Sequence, residues 1–185
     1  MTSRTRRILA PATAVLSAAL LAAGCAGQPG AAAVVDGEAI TEGELSETTA
    51  ALAPFLNADV GPNVMLATMI QAPVFLGVAA EHGVAASEDE TEAYLDELSA
   101  QAQVEVPQDY PAGAIEVARF LIVSGELSQS PDAQAIGEAV NEEMAELEVE
   151  VSPRYGTWDP TLAQGSAVAP AQPEWLLAPP APAQG

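Results

Sequence analysis

The chain offers few side chains that could do covalent chemistry. Among 185 residues there is one cysteine, Cys25, and one histidine, His82. A nucleophile needs a neighbouring base, and that base needs a third group to orient it. No serine or cysteine is spaced from His82 so as to build such a set, and no glycine-rich phosphate loop occurs. His82 stands just before Gly83 at the close of an apolar run, where a helix C-terminus favours an imidazole. Carboxylates are the abundant groups. Glu88-Asp89-Glu90 with Glu92 could offer oxygens to a hard cation, but their spacing fits no calcium loop. They follow Ser87, where acidic residues belong to the first turn of a helix. Glu138, Glu142 and Glu146 recur every four residues and form a solvated helix face. What is left is apolar recognition. Met65, Met69 and Phe75 lie on the most apolar segment of the chain. They either line a groove for apolar segments of client chains, to which flexible thioethers adapt well, or fill the core.

Charge narrows the partners. The chain carries 26 acidic residues against five basic ones, a formal net charge of −21. Three of the five, Arg4, Arg6 and Arg7, lie at the very start. After Cys25 only Arg119 and Arg154 face all 26 carboxylates, a balance of −24. A surface this negative cannot neutralise phosphates, so nucleic acid is excluded as an expected partner. Anionic lipid heads would repel it as well. Basic clients and cations remain.

These groups must be positioned mainly by helices. Thr41 with Glu44, and Ser87 with Glu90, each spell a capping box. They predict helices from Thr41 to about Leu56, with Leu45, Leu52, Phe55 and Leu56 inward, and from Ser87 to about Gln103, with Tyr94, Leu95 and Leu98 inward. Between them, Asn63 to His82 reads as a strongly apolar helix kinked at Pro73 and ended by Gly83. A fourth helix covers about Ala112 to Leu127. A fifth follows Ser130-Pro131 and reaches about Glu146. Near Leu147 the period changes to two: Leu147, Val149 and Val151 alternate with Glu148, Glu150 and Ser152, the pattern of a half-buried strand. Val34-Val35 is the other strand-like stretch, followed by an Asp36-Gly37 turn. A lone strand leaves its backbone groups unpaired, so the two are expected to pair and staple the ends of a mainly α domain of about five helices. Arg154, Tyr155 and Trp158, just after the second strand, are expected to clamp that end.

The start of the chain is similar to a bacterial lipoprotein signal peptide. The arginines make a basic region, Ile8 to Ala23 an apolar one, and Leu21-Ala22-Ala23-Gly24-Cys25 has the small residues and the cysteine of a lipobox. That resemblance implies removal of residues 1–24, lipidation of Cys25, and attachment to the extracytoplasmic face of the cell membrane. Two or more acyl chains give a stable anchor, since each buried methylene adds roughly 0.8 kcal/mol. Residues 25–33, ending in Gly-Ala-Ala-Ala, read as a flexible tether. Residues 160–185, rich in Pro, Ala and Gln, read as an extended or disordered tail, within which the apolar triplet Trp175-Leu176-Leu177 either docks on the groove or on a partner or is inert.

Residues 34–159 resemble the SurA N-terminal-like chaperone domain, also found in PrsA-type foldases. The resemblance rests on "VVDGEAITEGEL" at the opening, on the long apolar helix followed by "GVAASEDETEAYLDEL", and on the closing "VEVSPRYGTWD". It implies a helical cradle with a two-stranded sheet, binding non-native exported proteins without ATP and without a cofactor. A parvulin domain, which would need nearly a hundred further residues, is not in the tail. No isomerase activity is therefore expected of this chain, and a prolyl isomerase would act as a partner in trans. The alternative is a non-catalytic envelope scaffold or binding module for one dedicated partner.

Overall fold

The computed structural model describes residues 28–56, 60–162 and 166–170. Cys25, the leader and Trp175-Leu176-Leu177 lie outside the described residues. The described part is mainly α: five helices, a three-stranded antiparallel sheet and a two-stranded one.

The sheet begins with β1 (Ala31–Val35), which turns at Asp36-Gly37 into β2 (Glu38–Thr41). Asp36 has φ +48° and Gly37 φ +87°, the double positive pair of a tight hairpin turn whose twist matches that of its strands. On its other side β1 pairs with β3 (Val149–Val151), placing Val35 opposite Val149 and Ala33 opposite Val151. The strand at the start of the domain is thus joined to the strand at its end, as the valine alternation predicts. The sheet nevertheless has three strands in the order β2-β1-β3 instead of two, because Glu38–Thr41 folds back on β1. It also starts before Val34. Ala31 to Ala33 belong to β1 instead of a tether, with Ala32 and Ala33 fully buried.

Thr41 ends β2 and caps α1 (Glu42–Leu52). Its hydroxyl accepts from the Glu44 N–H at 3.1 Å, and its own N–H donates to the Glu44 carboxylate at 2.8 Å. The helix stops at Leu52, short of Leu56: Ala53 still has helical angles and donates to the Thr49 carbonyl, but Pro54 has no N–H to continue the ladder. Phe55 and Leu56 still pack on the core from the turn beyond. The second helix, α2 (Pro62–Glu81), is continuous through Pro73. It closes in a Schellman arrangement, with Val84 N–H on Ala79 O and Gly83 N–H on Ala80 O, both 2.9 Å, and Gly83 at φ +80°. Its 20 residues are apolar enough to span a bilayer by length and composition. Here they are the central core helix, packed chiefly against three of the other four helices and buried over much of their surface.

The second capping box opens α3 (Glu88–Ala102), with Ser87 N–H on the Glu90 carboxylate at 2.8 Å. Leu95, Thr91 and Ser99 are its buried residues, while Tyr94 and Leu98 are half-buried. The Ser99 hydroxyl lies 3.2 Å from that of Tyr110, which donates to Asp96 at 3.0 Å, tying the loop that follows back onto the helix. Pro111 caps α4 (Ala112–Leu127), and α5 (Ala133–Glu146) buries Ile136, Val140 and Met144.

The core has two parts. One gathers α1, the first half of α2, α3, the start of α4 and the sheet. The other gathers the second half of α2, the end of α4, and α5. Leu147 and Trp158 touch both. Beyond β3 the chain makes β4 (Thr157–Trp158), which pairs with β5 (Val168–Ala169). Residues 167–169 therefore belong to the domain: Ala167 and Val168 are completely buried. The expected boundary at Asp159 falls inside the fold.

Candidate functional site

The main cleft arises from how three helices meet. Both α4 and α5 pack extensively on α2 and touch each other little, so α2 becomes the floor of a trough with the other two as walls. The trough is a cavity of about 670 Å³, within the usual range of ligand sites. Its floor is Gln71 and Phe75. The α4 wall is Ser124, Leu127 and Ser128. The α5 wall is Ala133, Gly137, Val140, Asn141 and Met144, spaced three and four apart and hence on one helix face. Pro160, Thr161 and Leu162 close the end.

Three properties set this cleft apart. None of the described lining residues is charged, on a protein with 26 carboxylates. Phe75 packs edge-on against Phe120, with ring centroids 4.8 Å apart. Ser124, on the α4 wall, has a buried Oγ with no hydrogen-bond partner among the described residues. Burying an unpaired hydroxyl is costly, and a ligand group that paired with it would recover that cost. Gly137 adds room: a β-carbon there would meet nothing within 4 Å.

Of the residues singled out in the sequence for a groove, only Phe75 reaches the cleft. Met65 and Met69 are 2% and 8% exposed and pack in the other half of the core. They do not form an open methionine surface. The sequence reading missed Leu127, Val140, Met144, Ser124 and Gly137. The signal available was the α5 stripe of Ile136, Val140 and Met144, interrupted by a helical glycine beside it. His82 is the exposed C-cap of α2. Glu138, Glu142 and Glu146 are all exposed. Arg154 forms an exposed ion pair with Glu42 at 2.9 Å. Tyr155 and Trp158 are partly buried against the core, with the indole N–H of Trp158 unpaired among the described residues.

A shallower depression of about 460 Å³ joins the start of α3 to α4, with Glu88, Glu92, Asp109, Tyr110, Glu116 and Arg119 on its walls. Burial pushes the Glu116 carboxyl above its ordinary range, opposed in part by the Arg119 guanidinium. Burial also raises the Tyr110 phenol. Among the described residues, no group of three or more His, Cys, Asp or Glu side chains is placed to hold a metal ion.

Compared with protein-family models, with curated proteins and with solved structures, the chain matches none of them.

Proposed function

We propose that this chain is a lipid-anchored extracytoplasmic protein with a SurA N-terminal-like domain, which holds apolar segments of non-native exported proteins without ATP. The α2/α4/α5 cleft is the holding site. The observation that carries this reading is the uncharged, partly apolar lining of that cleft on an otherwise strongly acidic molecule. Acylation of Cys25 supplies the anchor, and anionic lipid heads keep the acidic domain off the membrane surface. A prolyl isomerase acting in trans fits a domain that holds non-native chains. No nucleic acid is bound.

The burial of Met65 and Met69 favours a narrower version, a binding module for one dedicated partner. A promiscuous holdase benefits from a broad, adaptable apolar surface. A single trough suits one segment at a time.

The deciding experiment is light scattering of an aggregating unfolded protein with and without this chain. Suppression near stoichiometric ratios, abolished by Gly137→Leu, supports client holding in the cleft. Absence of suppression by the folded protein removes the holdase reading and leaves the dedicated-partner reading.

A further inference from the structure

We propose that Trp175-Leu176-Leu177 of the same chain seats in the α2/α4/α5 cleft and competes there with other apolar segments. The proposal rests on the reading of that cleft as a binding site.

The first argument is reach. Pro170 is held beside Gly156, whose β-carbon, if present, would lie 3.2 Å from the Pro170 Cα. Pro160, on the cleft wall, is four residues from Gly156, a span of at most roughly 14 Å. Trp175 is five residues beyond Pro170, a reach of roughly 17 Å. The indole can therefore cover the distance to the cleft mouth.

The second argument is chemistry. From Ala171 to Gly185 the only large apolar side chains are Trp175, Leu176 and Leu177; the remainder are Ala, Pro, Gln, Gly and Glu174. The cleft offers apolar contacts from Phe75, Leu127, Val140 and Met144. Its described lining presents no charge to be desolvated. A buried indole requires an acceptor for its N–H, and Ser124 on the α4 wall has a buried Oγ with no hydrogen-bond partner among the described residues. The open space at Gly137 leaves room for a bulky ring.

The test uses the full chain, lipid-anchored in phosphatidylcholine nanodiscs and labelled with fluorotryptophan. Its two tryptophans, Trp158 and Trp175, give two fluorine resonances, assigned with Trp175→Phe. Seating predicts that Trp175 shows little solvent isotope shift, and that Gly137→Leu restores the full shift by filling the cleft with a good helix former. A second variant, Leu176→Asp with Leu177→Asp, changes no described residue and should also free the indole. It should raise client holding severalfold. A Trp175 that is solvent-exposed in the parent chain overturns the proposal. So does shielding that survives Gly137→Leu, which would put the ring in lipid, or shielding that grows with protein concentration, which would put it in a second copy. Light scattering on the same samples separates the two readings. Holding that is lost in Gly137→Leu while Trp175 is exposed throughout removes the tail contact and spares client binding. A shielded, releasable Trp175 without any holding supports the tail contact and removes client binding.

Discussion

Asp36 and Glu148, 112 residues apart, exchange two hydrogen bonds of 2.9 Å: the Asp36 N–H donates to the Glu148 carbonyl, and the Glu148 N–H donates to the Asp36 carboxylate. Asp36 does so at φ +48°. One residue thus makes the β1–β2 turn and also fastens the entry to β3. Asp36→Ala removes the side-chain acceptor and keeps a β-carbon in a left-handed conformation. It should lose about 1–3 kcal/mol of unfolding free energy. Asp36→Asn keeps an acceptor oxygen and tolerates the left-handed region, so its urea midpoint should stay close to that of the parent. Equal losses in the two variants would show that the side-chain bond contributes nothing.

The parts of the fold legible in the sequence are those with a strong local signal. Thr41/Glu44 and Ser87/Glu90 announce their helices by chemistry acting across three residues, and Val149 and Val151 announce a strand by alternation. The illegible parts depend on packing. Ala32 and Ala33 are small enough for a tether or a buried strand, and only the sheet against them decides. Val168 sits in a Pro/Ala-rich stretch with no period, yet is buried because β4 gives it a partner. The cleft is defined by the distance between α4 and α5, which no local pattern records. For the same reason Met65 and Phe75, ten residues apart on one helix, end in different halves of the core.

The crossing of α1 and α4 is set by Thr48 and Gly113. A β-carbon at Gly113 would overlap the Thr48 hydroxyl oxygen and come within 3.2 Å of the Met69 methyl. The Thr48 hydroxyl is itself buried without a partner among the described residues. Gly113→Ala should therefore destabilise by about 1–3 kcal/mol through overpacking, outweighing the helix propensity it gains. Thr48→Ala should restore most of that loss in the double variant. A double-mutant cycle with no coupling would overturn this account of the contact.

Acid titration should act in two opposite ways. Glu116 has its folded carboxyl raised by burial. The native state thus holds its proton more tightly than the unfolded chain, and stability rises as pH falls through that raised value. Glu44 is lowered by the hydrogen bond from the Thr41 N–H and then by that from its hydroxyl. Its contribution is complete above the ordinary carboxylate value of 4.5 and is lost as pH falls through the lowered one. Thermal unfolding should show Glu116→Gln more stable than the parent at neutral pH and no more stable well below the carboxylate range. Glu44→Gln should be less stable at neutral pH and equal to the parent in strong acid. A Glu116→Gln advantage that did not change with pH would count against a buried, raised carboxyl.

Gly156 decides whether residues beyond Asp159 belong to the domain. It has φ +137°, and a β-carbon there would run into the carbonyl of Ala169, the last residue of β5. Gly83 is the matched control: it also has positive φ, at +80°, but nothing lies within 4 Å of its missing side chain. Replacing either with alanine carries the left-handed penalty of about 1–2 kcal/mol. Only Gly156→Ala adds a backbone collision that β5 must yield to. Hydrogen exchange should therefore separate them. The Asp159 N–H, which donates to the Ala167 carbonyl at 2.7 Å, should lose its protection in Gly156→Ala and keep it in Gly83→Ala. Unchanged Asp159 protection in Gly156→Ala would mean that β4 and β5 do not depend on the glycine, and the tail's point of departure would have to be redrawn.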